Sequence, residues 1–120
     1  NEKLAKKISE EQKKQNFKPK LFIQVNIGNE PQKSGIHIQK LFEFFNYCKE
    51  LDLNIVGLMC IPPIDEDPEI SFSRMNYLNK KMNFKELSMG MSSDYLSAIN
   101  FNSTYLRIGS EIFGPRLKKL

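Results

Sequence analysis

Apolar positions along the chain change period several times, and each change marks an element. Residues 1–16 place Leu4, Ala5, Ile8 and Gln12 on one helical stripe with lysines around the rest, and Lys18-Pro19 ends that helix. The stripe is thin, so this helix is expected to cover a sheet and not to form a core. Leu21–Ile27 alternates: Leu21, Ile23, Val25 and Ile27 share one face, and Phe22, Gln24 and Asn26 share the other. A strand covered on both sides is normally apolar on both faces. The amides are therefore either hydrogen-bonded structural groups or the lining of a polar pocket at the strand's carboxyl end. After a turn-rich loop, residues 28–35, the stretch Ile36–Leu51 recurs at helical spacing through Ile38, Leu41, Phe42, Phe45 and Cys48. Asn54–Ile61 is nearly all apolar and is stopped by Pro62-Pro63. Ser71 is the expected cap of a helix whose inner stripe is Phe72, Met75, Leu78 and Met82. Glu86–Gly90 and Thr104–Ile108 are the third and fourth strands. Between them lies a helix with Asp94 in its first turn and Leu96 and Ile99 facing inward.

A leading helix followed by four strand–helix units with short loops predicts a parallel α/β sheet. Functional groups in such sheets collect at the carboxyl ends of the strands. The most pointed stretches of the chain fall there. Glu86–Asp94 and Thr104–Arg116 each read as a short strand running into a small-residue turn and a helix start. Unpaired backbone N–H groups and the local peptide dipoles favour an anion at such turns. Ser92, Ser93 and Ser110 add hydroxyl donors, and Gly90 and Gly109 allow close backbone approach. Arg107 shares a strand face with Tyr105, at the carboxyl end of the last strand. A guanidinium there finds either a structural salt bridge or a ligand's ring nitrogen or anion.

The chain has 120 residues and a net charge of +4, of which 40% of residues are hydrophobic. This suits one modest globular domain. The charge is local: residues 1–20 hold seven lysines against three glutamates, and the remaining hundred balance eleven against eleven. The first twenty offer only Phe17 and no arginine, so a solvated helix face is the expectation, with no nucleic-acid partner. No apolar run is long enough to span a bilayer, and the first residues lack the apolar core of a signal peptide, so no membrane partner and a cytoplasmic location are expected. Cys48 and Cys60 read as reduced core thiols. His37 is the only histidine and has no second ligand nearby, and the acidic residues 65–69 lack Ca²⁺-loop spacing, so no catalytic or metal site is assigned.

Four motifs in order, Gln24–Gly35, Gly57–Pro63, Leu87–Asp94 and Leu106–Gly114, resemble the pyridoxal phosphate homeostasis proteins, the YggS/PROSC family, relatives of the alanine racemase N-terminal barrel. The resemblance runs from about Leu21 to Arg116. It implies a (β/α)8 barrel holding pyridoxal 5′-phosphate (PLP). It places Ser92 or Ser93, with Gly109 and Ser110, on the cofactor phosphate, and Arg107 by the pyridine nitrogen. Asn26, Lys33, Met89 and Gly90 are weaker candidates around the same cofactor. A whole barrel needs about 200–250 residues. The resemblance therefore makes residues 1–120 a single partial domain, the C-terminal half of a TIM-type barrel with about four parallel strands alternating with helices. In that family the Schiff-base lysine lies on the first strand, outside this half, and Lys33 is not that position.

The expected function is PLP binding in vitamin B6 homeostasis without robust turnover. The alternative is a fragment of a PLP-dependent amino-acid racemase, which would need a second base that nothing after Arg116 supplies. A lysine-rich interaction module is a third reading. Half a barrel leaves sheet edges and interior uncovered, so self-association is also expected.

Overall fold

The computed structural model describes residues 1–31, 34–91 and 93–107, Arg107 as backbone only. The elements are α1 (Glu2–Gln15), β1 (Lys20–Gln24), a 3-10 turn (Ile38–Lys40), α2 (Leu41–Glu50), β2 (Asn54–Met59), α3 (Pro68–Lys81), β3 (Glu86–Met91), α4 (Tyr95–Asn100) and β4 (Tyr105–Arg107). The four strands form one sheet in the order β1-β2-β3-β4, every pair parallel. The expected α/β alternation with four parallel strands is what the chain adopts. Among the described residues no helix is long and apolar enough to cross a membrane.

The core lies between the sheet and α2, α3 and α4. Ile23, Val25, Leu58, Leu87 and Met89 meet Leu41, Phe72, Met75 and Ala98 there, all 3% exposed or less. A second cluster, Ala5, Cys48 and Leu53 with Leu21 and Ile55, seats α1 on α2 and on the amino ends of the first two strands. Both cysteines are buried free thiols. Burying these side chains supplies most of the driving force, at roughly 25 cal/mol per Å² of apolar surface.

The opposite face of the sheet is concave. The rings of Phe22 on β1 and Tyr105 on β4 meet edge to face at 5.1 Å. In a flat sheet those strands would stand roughly 14 Å apart, three spacings of about 4.8 Å. The sheet must therefore curl strongly.

Several local expectations are corrected. The ladder of β1 ends at Gln24 instead of Ile27, because Val25 then bridges Ile36, whose N–H donates to the Gln24 carbonyl at 2.8 Å. That contact holds Ile36 extended, so the following helix starts later, at Leu41 after a 3-10 turn, with the expected inner stripe kept except at Phe42. Leu41, Phe44, Phe45 and Cys48 face inward, and Phe42 is 68% exposed. Asp67, not Ser71, caps α3: its carboxylate accepts the Glu69 N–H at 3.0 Å, Pro68 occupies the first turn, and Ser71 is buried inside the helix. Leu4, Leu96 and Ile99 are exposed. In α1 the buried positions are Ala5 and Ser9, whose hydroxyl donates to the Leu51 carbonyl at 3.0 Å. In α4 Ala98 is the residue that packs.

Candidate functional site at the carboxyl ends of the strands

Gly90 is where β3 turns toward its helix. Its φ is +106°, and a Cβ there would lie 2.7 Å from the Ala98 Cβ and 3.0 Å from the Leu106 Cδ2. Only glycine fits both the conformation and the space. The register shifts at this point, so that Met91 pairs with Arg107 while Ser88 pairs with Tyr105. The tip of β3 thus stands directly beside the tip of β4.

Hydroxyls hold the two strands in that register. The Thr104 N–H donates to the Leu87 carbonyl at 2.8 Å, and its Oγ1 accepts the Leu87 N–H at 2.8 Å. The Ser103 hydroxyl donates to the Met89 carbonyl at 2.5 Å. These residues position the site and were not read from sequence as doing so. The only signal was a pair of hydroxyl residues entering a strand.

The turn after β3 is closed by Asp94. Its carboxylate accepts the Met91 N–H at 2.7 Å, and its own N–H donates to the Met91 carbonyl at 3.1 Å. Asp94 stands one residue before α4 instead of in its first turn, and its side chain gives the helix no capping bond. Ser93 is exposed in this turn. Cys60, at the end of β2, is buried. Burial first, and then the negative charge of Asp94, push its thiol up to about 12. It stays protonated at neutral pH and is no nucleophile.

Of the remaining candidates, Asn26 is buried and committed to structure. Its Nδ2 donates to the Glu30 carbonyl at 2.6 Å, and its Oδ1 accepts the Glu30 N–H at 3.0 Å. It pins the loop after β1. Met89 is 2% exposed with its side chain in the helix-side core, so only its backbone faces the strand tips. Lys33, Ser92, Gly109 and Ser110 lie outside the described residues, as does the side chain of Arg107. The structure brings Gly90, Ser93 and the backbone of Arg107 together at the tips of β3 and β4 and leaves Asn26 in the loop after β1, two strands away.

A cleft of about 560 Å³ lies elsewhere, along the outer edge of β1. Leu4, Ile8, Leu21 and Phe22 line it, and among the described residues none of its lining side chains is charged. Its chemistry is that of an uncovered strand edge, not of an anion site.

The alanine racemase N-terminal domain family matches residues 1–116. A pyridoxal phosphate homeostasis protein of Aquifex aeolicus is 37% identical over 94% of this chain and 54% of its own length. One of Vibrio cholerae is 39% identical over 96% of this chain and 52% of its own length. PipY of Synechococcus elongatus, solved with PLP bound, superposes with a TM-score of 0.82 at 27% identity, covering 92% of this chain and 56% of PipY. The chain spans about half the length of the curated relatives it matches. The resemblance carried by the four motifs thus extends over nearly the whole chain. The chain belongs to the alanine racemase N-terminal domain family, in which these relatives are named pyridoxal phosphate homeostasis proteins.

Proposed function

We propose that this chain is the phosphate- and ring-binding C-terminal half of a (β/α)8 barrel that carries PLP in the cytosol for B6 homeostasis, without robust turnover of its own. One observation carries the reading: Met91 pairs with Arg107, so the glycine turn of β3 and the arginine tip of β4 are neighbours at the carboxyl edge of a parallel sheet. The curl that brings Phe22 to Tyr105 supports the half-barrel, since a sheet bent this far follows a barrel wall. The bound PLP of the similar PipY supports the ligand.

PLP would supply an electron-withdrawing pyridine ring and an aldehyde. Around it, Ser92, Ser93, Gly109 and Ser110 would hold the phosphate through hydroxyls and backbone N–H groups, with Gly90 shaping the turn and Met89 contributing backbone only. Arg107 would lie by the ring nitrogen. A permanent cation there disfavours a protonated ring and weakens the electron sink, which suits a carrier better than a catalyst. Asn26 and Lys33 would frame the neighbouring loop, Asn26 through the bonds it makes to Glu30. No Schiff-base lysine is assigned within residues 1–120.

Titration of the chain with PLP, followed by absorbance, tests this. Weak saturable binding, displaced by inorganic phosphate and not trapped by borohydride, is the expected result. Absence of saturable binding overturns the ligand, and a stoichiometric trapped adduct on one lysine overturns the missing anchor.

The same half-barrel reading implies that two copies associate. The outer edge of β1 and the concave face with Phe22 and Tyr105 would be shared between them, because unpaired strand edges and uncovered aromatic surface favour pairing. Light scattering should give a concentration-dependent mass near twice that of the chain. A monomer that melts cooperatively contradicts it.

A further inference from the structure

We propose that Asp94 is the positioning residue of the β3–α4 turn and that its charge limits how strongly this turn accepts an anion. The proposal rests on the phosphate reading above. Asp94 holds both backbone groups of Met91, accepting its N–H at 2.7 Å and donating to its carbonyl at 3.1 Å. Its own carbonyl accepts the Ala98 N–H at 3.1 Å, which ties the same residue to α4. Met91 is the residue of β3 that pairs with Arg107. Through one side-chain bond and two backbone bonds, Asp94 therefore ties the end of β3, where Met91 meets the β4 tip, to the next helix.

Two consequences follow from the chemistry of that carboxylate. The Met91 N–H is already satisfied and is not a donor for a ligand. Among the described residues of the turn after it, the exposed Ser93 is left as a donor. The carboxylate also places a fixed negative charge in the turn itself. That charge is felt across the rim, where it adds to burial in raising the Cys60 thiol. A phosphate ester gripped by this turn meets a repulsion that a neutral acceptor of the same shape would not impose.

Asparagine keeps an oxygen at the Oδ1 position and removes the charge, whereas alanine removes both. Asp94→Asn should therefore bind PLP and inorganic phosphate about threefold to tenfold more tightly than the unsubstituted chain. Asp94→Ala should bind both about tenfold more weakly. A purely structural role predicts no tightening in the asparagine variant. Amide hydrogen exchange at Met91, read by NMR without ligand, should be faster in Asp94→Ala and unchanged in Asp94→Asn. Exchange at Met91 that ignores the alanine substitution overturns the proposal. So does an asparagine variant that binds phosphate no better than the parent. If the parent binds neither ligand while Met91 exchange follows the predicted pattern, the phosphate reading has failed and Asp94's hold on the turn stands.

Discussion

Gly57→Ala is expected to be the most damaging single-methyl change in the chain. A Cβ at Gly57 would lie 2.0 Å from the Glu86 carbonyl oxygen and 2.6 Å from its carbon, with Phe22 Cε2 at 3.2 Å. The first two are backbone atoms of the neighbouring strand and cannot swing aside. The methyl must push β2 away from β3, and that pair is held over only three registered positions, Gly57–Glu86, Leu58–Leu87 and Met59–Ser88. The strain of overpacking and the loss of ladder bonds together should cost about 3–5 kcal/mol. Against a total stability of about 5–15 kcal/mol for a small domain, that is a large share. Urea denaturation followed by far-UV circular dichroism checks it. A midpoint close to that of the parent would mean the two strands can separate there without penalty.

Asn79→Leu should be next in size, for the opposite reason: the shape is kept and the hydrogen bonds go. Asn79 is 5% exposed on α3, and its amide reaches between the same two strands. Its Oδ1 accepts the Leu58 N–H at 3.1 Å, and its Nδ2 donates to the Glu86 carbonyl at 2.8 Å. Leucine leaves both backbone groups unpaired in the interior, at about 1–2 kcal/mol each, so a loss of about 2–4 kcal/mol is expected from the same denaturation experiment. Both substitutions open the ladder at Glu86. The double variant should therefore cost clearly less than the two single losses combined. Full additivity would show that Asn79 and Gly57 act on separate contacts.

The architecture was legible because parallel strands announce themselves as short apolar runs between helical stripes. Asn54–Met59 and Glu86–Met91 became strands near where the pattern put them. Helix phase was less legible. Ile36 satisfies both the helical period and the edge of β1, and the backbone bonds of that edge win, so the helix begins only at Leu41; Phe42, expected inward, is exposed. In α4 six residues give too little periodicity to separate Leu96 and Ile99 from Ala98. Ser71 is the expected cap of α3, but Asp67 serves, with Pro68 in the first helical turn after it.

The candidate site was legible only as motifs, and the hydrogen bonding around it was not. Asn26 read equally well as pocket lining or structural amide, and its partner is the backbone of Glu30 four residues on. Asn79, Ser103 and Thr104 also act on backbone groups of strands distant in sequence. Backbone partners leave no complementary side chain in the sequence to point at them. Met89 lies in a ligand-binding motif by resemblance, yet strand alternation sends its side chain to the core.

The central claim is that the tips of β3 and β4 together grip the phosphate ester of the vitamin. Comparing PLP with pyridoxal, which has the same ring and aldehyde but no phosphate, tests it most directly. Titrated into the 120-residue chain under identical conditions, PLP should bind at least about tenfold more tightly, the worth of one or two charge-assisted hydrogen bonds. Equal affinity for the two compounds would contradict the account.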